Sequence, residues 1–359
     1  MKAAVVRHPG RFEIETVVLD RPDEDEVRLR VLASGLCHTD YHVMLGRMRV
    51  PLPVVAGHEA VGIVEAVGED VPGIRPGDLV ATCASLFCGA CVQCQMGRNY
   101  LCDAPPGRAE WQRRPRLRSS DGTPLYQLAL LGGFAEAMLV HHRSLVKLPS
   151  DIPPTSAALL GCAVLTGFGA VTSAARVRPG SSVAVIGCGG VGLNVIQSAA
   201  ICGAAQIVAV DTNPAKLELA RAFGATTPVV SSPDVAAEVI ALLEGGADYA
   251  FDVVGTPASL HDACSLLAKG GTAILVGAAN PEEDLHLSLG SLLFREIRLI
   301  GSLMGSVPFQ LAIPRLVQLY RRGALKLDEL VSDVITLEEI NEGYGRLAAG
   351  AATRIVIGF

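Results

Sequence analysis

The densest chemistry in the chain lies between residues 88 and 102, where Cys88, Cys91, Cys94 and Cys102 form C-x2-C-x2-C-x7-C. Thiolates so spaced can converge tetrahedrally on one metal, because two-residue gaps let a tight turn aim successive sulfurs at one point. Gly89 and Gly97 relax the backbone between them. Four sulfurs leave no open coordination position, so a zinc held there is structural; an iron–sulfur cluster takes the same four ligands. Three further candidates are scattered: Cys37, His58 and Cys162. Two cysteines and a histidine leave a fourth position for water or substrate, the mark of a catalytic zinc, but only a fold can bring such distant residues together.

A third kind of chemistry is written at Gly187-Cys188-Gly189-Gly190-Val191-Gly192. This is G-x-G-x-x-G after an apolar run and before a helix-length segment. The first glycine makes the turn, the second admits a pyrophosphate, and the third lets helix pack on strand. Helix N-terminal amides then face the phosphates. Asp211, about twenty residues on, is placed to accept hydrogen bonds from the ribose hydroxyls of NAD, and Thr212, Asn213 and Pro214 provide no arginine for a 2′-phosphate.

These residues need two kinds of scaffold. Up to about residue 150 the chain shows short apolar runs, Ala3–Val6, Val27–Val31, Ala60–Val67 and Leu79–Cys83, cut by Gly and Pro; this is β-rich punctuation. Strands and helices then alternate: strands at Ser182–Ile186, Gln206–Val210, Tyr249–Val253 and Thr272–Val276, helices at Val191–Cys202, Lys216–Phe223 and Ser259–Leu267. The alternation predicts a parallel, doubly wound sheet. A helix at Gln310–Arg321 and a strand at Arg354–Ile357 follow, and the strand can return to the first domain. Residues 104–118, with Trp111, Arg113, Arg114, Arg116 and Arg118, read as a solvated irregular loop, or as cations for an anion.

At 359 residues, half of them hydrophobic, the chain exceeds what one core usually holds. A formal net charge of -6 and no basic stripe exclude nucleic acid as a partner. No apolar run reaches membrane-spanning length and no signal peptide is evident, so a cytoplasmic location is expected, with thiols reduced.

In order along the chain, Gly35-Leu36-Cys37-His38-Thr39-Asp40, Gly57-His58-Glu59 with Gly62, Pro76-Gly77-Asp78, the cysteine lobe, Gly161-Cys162 through Thr166-Gly167, and the glycine-rich turn resemble the medium-chain zinc alcohol dehydrogenases. The likeness spans nearly the whole chain, and the long following loop resembles the class III-like branch. It implies an α/β protein with a GroES-like catalytic domain (1–163), a Rossmann domain (164–303) and a segment returning to the first (304–359). It implies two zincs per chain and NAD. Cys37, His58 and Cys162 match the catalytic zinc ligands, Glu59 the acid behind the metal, and Asp40 the partner orienting His58. Thr39 matches the hydroxyl touching substrate oxygen, and His42 the end of the proton relay. Lys216 matches the flank of the adenosine ribose, and Val191 the back of the nicotinamide. Val276 and Ser302 match the backbone near the carboxamide, and Thr166 and Arg354 further cofactor contacts, Arg354 at the pyrophosphate. His38 stands where some relatives carry arginine, so a phosphate contact from it would be weaker.

The reaction so implied is oxidation of a primary alcohol to an aldehyde, reversibly, the metal acidifying the hydroxyl and nicotinamide taking the hydride. The matched pocket positions are Met48, Ala84, Phe134 and Ala278, and the alanine at 84 predicts room for a medium or long apolar alcohol. A thiol-adduct formaldehyde dehydrogenase is the competing enzyme. A zinc-free quinone reductase is disfavoured by both metal sites, and a non-catalytic protein of this fold by the presence of every ligand. A homodimer is expected, paired along the edge near Ile297–Gly301.

Overall fold

The computed structural model describes residues 1–106, 115–280 and 282–359, and in these the chain divides into two compact units. The first comprises Met1–Cys162, Pro308–Gln318 and Leu327–Phe359, the second Ala163–Val307 and Leu319–Lys326. The segment 319–326, expected with the returning tail, therefore sides with the second unit. The reason is local: Lys326 N donates to Gln197 Oε1 at 2.9 Å, Gln197 Nε2 donates to the Lys326 carbonyl at 3.2 Å, and Leu325 is buried.

In the first unit, strands Lys2–Val6, Glu13–Leu19, Leu117–Ser119, Pro124–Gln127 and Val54–Val55 close into a small barrel. A seven-stranded sheet is built around Glu26–Gly35, which pairs antiparallel with Glu59–Val67, Ala137–His141 and Ile355–Gly358. Val27, Leu29, Val31 and Ala33 alternate into the core, the period expected of a pleated strand. The tail strand, Ile355–Gly358, lies between Glu26–Gly35 and Asp333–Ile335. Helix Ile340–Ala348 has no counterpart in the sequence reading, because Gly343 and Gly345 weaken its local signal; burial of Ile340, Tyr344 and Leu347 supplies what propensity does not.

The arginine-rich segment departs from expectation. Trp111, Arg113 and Arg114 lie outside the described residues. Arg116 is buried rather than solvated: its guanidinium donates to Asp23 at 2.5 Å, to the Arg21 carbonyl at 2.6 Å and to Glu26 at 3.1 Å. Residues 117–119 form a barrel strand, and Arg118 bonds Asp20 at 3.2 Å. These cations are spent on structure.

The second unit holds a six-stranded sheet in the order Thr227–Val230, Gln206–Asp211, Ser182–Ile186, Ala247–Asp252, Leu267–Leu275, Arg298–Gly301, every pair parallel. Sequence reading missed the first of these, a four-residue edge strand containing Pro228, and the helix Val235–Leu242 after it. The order reverses between Ser182–Ile186 and Ala247–Asp252, where open α/β sheets place their ligands. Among the described residues no single helix is long and apolar enough to cross a membrane.

Candidate active site

The four lobe cysteines offer sulfurs within 4.8 Å of one another. Cys88 and Cys94 sulfurs are 3.9 Å apart, as are those of Cys91 and Cys102. That is far beyond a disulfide and close to the edge, about 3.8 Å, of a tetrahedron with 2.3 Å metal–sulfur bonds. Backbone N–H groups reinforce the thiolates: Cys88 N donates to Cys102 Sγ at 3.2 Å, and Ala90 N and Cys91 N donate to Cys88 Sγ at 3.4 and 3.3 Å. The last two pull the Cys88 thiol down to about 6. The donor set fits a closed, structural zinc.

A second group is fully buried. Cys37, His58, Glu59 and Cys162 offer donor atoms within 4.8 Å of one another, although 125 residues of sequence separate the outer two (162 − 37). Cys37 lies two residues past strand Glu26–Gly35, at the N-cap of helix His38–Met44, and His58 precedes strand Glu59–Val67, the antiparallel neighbour. Sheet pairing of Gly35 with Glu59 thus delivers the two ligands side by side. His58 Nδ1 lies 2.9 Å from Asp40, while Nε2 faces Cys162 Sγ at 3.3 Å. A carboxylate behind Nδ1 fixes the tautomer whose Nε2 lone pair is free for a metal. Asp40 is itself held by Gly57 N at 2.7 Å. A hydrogen bond from the Cys162 thiol, with His58 and Arg354 nearby, holds Cys37 well below the usual thiol range, and the same pairing raises Cys162. Burial pushes the Glu59 carboxyl up to about 8 against the pull of Arg354. Two sulfurs and one imidazole, one sulfur already anionic in character, fit an open zinc site.

Three contacts from the tail, which sequence reasoning did not foresee, hold this loop. Tyr344 Oη donates to the Cys37 carbonyl at 3.3 Å, Arg354 Nη1 donates to the Leu36 carbonyl at 3.0 Å, and Leu36 N donates to the Ile355 carbonyl at 2.9 Å. Tyr344 is also stacked on Tyr41 and Phe12, with ring centroids 5.5 and 5.4 Å apart. Arg354 is buried 3.2 Å from Glu59, so its contacts here are with the acid and the loop. Nothing in local spacing signals these roles.

Thr39 and His42 lie three apart on helix His38–Met44 and share a face, with Asp40 turned inward. Both are half-buried, and His42 Nδ1 is buried with no hydrogen-bond partner among the described residues. Burial and then Arg47 hold the His42 pKa below the ordinary 6.5. His38 is exposed and packs edge-on against Tyr41.

In the second unit, Gly187 takes φ +95, and a Cβ on Gly192 would stand 1.8 Å from the Gly187 carbonyl oxygen, whereas one on Gly189 would meet nothing within 4 Å among the described residues. The open face is therefore at the second glycine, as a phosphate cradle requires. Gly190 begins the helix, Gly190–Ile201, with Val191 half-buried on its first turn. Asp211 ends strand Gln206–Asp211 and accepts from Cys188 N at 2.7 Å and Asn213 N at 2.9 Å. Lys216, half-buried, lies in the first turns of the next helix. Thr166 and Ser302 are buried, and Val276 N donates to the Asp252 carbonyl at 2.8 Å.

Of the matched pocket positions, Phe134 is fully buried in the core against Phe12 and Tyr344, Ala84 packs against the adjoining core, and Met48 and Ala278 are exposed. A third ligand-like group, Asp25, His141 and His142, does not suit a metal: Arg143 N donates to His141 Nδ1 at 3.0 Å, which leaves the proton of the neutral ring on Nε2.

Residues 23–150 match the alcohol dehydrogenase GroES-like domain family, and residues 190–322 the zinc-binding dehydrogenase family. The NDMA-dependent alcohol dehydrogenase of Amycolatopsis methanolica is 40% identical over 370 aligned residues, covering 99% of this chain and 98% of that one. Among solved structures, an alcohol dehydrogenase zinc-binding domain protein from Burkholderia ambifaria superimposes with a TM-score of 0.95 at 36% identity, covering 100% of this chain and 98% of that one. Benzyl alcohol dehydrogenase from Acinetobacter calcoaceticus gives 0.94 at 33% identity, with 100% and 99% covered.

Proposed function

This chain belongs to the zinc-dependent medium-chain alcohol dehydrogenases, and we propose that within that family it oxidises apolar primary alcohols to aldehydes, reversibly, with NAD. The observation that carries the reading is the buried Cys37–His58–Cys162 group backed by Asp40 and Arg354, beside a helix bearing Thr39 and His42. Zinc held by those three side chains would polarise the substrate oxygen and acidify its hydroxyl, and a nicotinamide nucleotide at the Gly187–Gly192 turn would accept the hydride. Asp40 orients His58, and Arg354, against the Glu59 carboxyl, balances the negative charge that Cys37 gathers in a buried place. The Thr39 hydroxyl would accept the substrate proton as it gives up its own, and His42, one helical turn away and kept neutral by its burial, is the base at the end of that relay, from which the proton leaves to solvent. The lobe of Cys88, Cys91, Cys94 and Cys102 carries a second, structural zinc.

Asp211 supports NAD over NADP. Its carboxylate, fixed by two backbone N–H groups, retains acceptor capacity for ribose hydroxyls and would oppose a 2′-phosphate. A preference of about a hundredfold is expected, equivalent to ~2.7 kcal/mol. The NDMA-dependent relative favours a second reading of the acceptor, in which the hydride passes onward to a compound such as NDMA. The benzyl alcohol dehydrogenase neighbour and the small residue at 84 support a bulky apolar substrate. One panel tests all three points: linear and aromatic alcohols with NAD, NADP or NDMA, with and without glutathione. Highest efficiency with ethanol, parity of NADP with NAD, or an absolute need for thiol would each overturn its own part of the reading.

We assign the homodimer to the edge strand Arg298–Gly301, the last of its sheet, and to the helix Leu289–Arg295 before it. There Leu289, Leu293 and Phe294 are 81%, 70% and 80% exposed. Light scattering reads the assembly directly.

A further inference from the structure

Asp211 has a counterpart on the other side of the switch point. Asp252 likewise ends a strand, Ala247–Asp252, and is fully buried. Its Oδ1 accepts from Val254 N at 3.0 Å and from Gly255 N at 3.1 Å. Its own carbonyl accepts from Val276 N at 2.8 Å and from Gly277 N at 3.0 Å. One residue thus collects four backbone N–H groups from two loops, 253–255 and 276–277. The loops are also in direct contact. A Cβ on Gly277 would stand 2.4 Å from Gly255 N, and one on Gly255, which has φ +83, would stand 2.8 Å from the Gly277 carbonyl carbon. The first loop continues to the glycine-rich turn: Val253 N donates to the Ile186 carbonyl at 3.0 Å, and the Val254 side chain approaches Gly187. Burying a carboxylate is costly unless it is hydrogen-bonded, and here the bonds it makes shape the carboxyl edge of the sheet rather than its core.

A dinucleotide laid across the switch point puts one half over each group of strands. Asp211 stands on the side of Gln206–Asp211 and meets the adenosine ribose. The half that remains, the nicotinamide half, lies over the loops that follow Ala247–Asp252 and Leu267–Leu275. We propose that Asp252 is the positioning residue for that half, knotting the two loops into one wall that presents the Val276 backbone to the nicotinamide. This rests on the reading of Gly187–Gly192 as the pyrophosphate cradle.

Calorimetric titration with NADH, ADP-ribose and AMP tests it, because the last two lack the nicotinamide ring. Asp252→Ala should weaken NADH by at least about tenfold while AMP and ADP-ribose stay within about twofold. Asp252→Asn keeps an acceptor oxygen for Val254 N and Gly255 N and should bind NADH close to the parent. Gly277→Ala, which forces the loops apart with Asp252 intact, should repeat the selective loss and stands in if Asp252→Ala does not fold. Equal loss of AMP and NADH, or unchanged NADH affinity in both variants, overturns the proposal. A parent that binds no AMP overturns the cradle reading, and the proposal with it, by a result distinct from either.

Discussion

The chain has two sulfur-rich sites that differ in nearly everything but their sulfur. The lobe at 88–102 draws four like ligands from one short, half-exposed stretch, and its reinforcement comes from backbone N–H groups of the same stretch. The inner site gathers unlike donor groups from three distant places, buries all of them, and is braced by charged side chains, Asp40 on His58 and Arg354 on Glu59. A closed set of sulfurs needs only a turn. A site with a free position needs a fold to hold unlike donors apart and a charge balance to keep them ionised without water.

That contrast is broken or sharpened by experiment, beginning with the ligands themselves. Cys162→Ala should lower turnover at least about a thousandfold while the protein stays folded with one zinc per chain. Cys91→Ser should instead lower the melting temperature or cause aggregation. Metal analysis beside thermal unfolding decides, and the distinction collapses if both variants fail in the same way. Next, Asp40→Asn should weaken the inner metal about 10- to 100-fold and leave the lobe metal unchanged, read by competition with a chelator. His42→Gln should slow alcohol oxidation about tenfold near neutral pH. Since the His42 pKa lies below 6.5, the parent should lose rate only as pH falls beneath that value, and the variant should lack that limb of the profile.

The smallest effect lies beside the lobe. Burial, then His142, lowers the His141 pKa to about 4, against 6.5 when unfolded. A depressed value means that the unfolded chain binds the proton more readily. The stability from the neutral ring is therefore complete above 6.5 and is lost as pH falls toward 4. At pH 5 the loss should be about 1–2 kcal/mol, and His141→Gln should remove that acid sensitivity in unfolding curves measured at pH 5 and 7.5. Arg143, which donates to the Cys88 carbonyl, stands two residues on.

How much of this is legible in the sequence follows the same division. The lobe is local, and its spacing alone states a ligand set. The Gly187–Gly192 turn is local too, and each glycine has the environment its place in the motif demands. Cys37, His58 and Cys162 could be assembled only through resemblance, because their meeting depends on strand pairing across the sheet. Tyr344, the placing of Arg354 against Glu59, and Asp252 carry no periodic or spacing signal, since their partners are backbone atoms or side chains far away in sequence. Arg116 was misread for a related reason: a basic, proline-rich composition suggests solvent, and only the fold shows three acidic neighbours waiting for it.

The strand Ile355–Gly358 gives the molecule a schedule. It completes the sheet around Glu26–Gly35 and helps close the loop bearing Cys37, yet in the order of synthesis it follows the entire second unit. A ribosome making this chain delivers the second unit whole while the first still lacks the strand between Glu26–Gly35 and Asp333–Ile335. Domains usually fold in the order they emerge. Here the half that begins first must wait for the half nested inside it, and the Cys37–His58–Cys162 group is among the last things the nascent protein can finish.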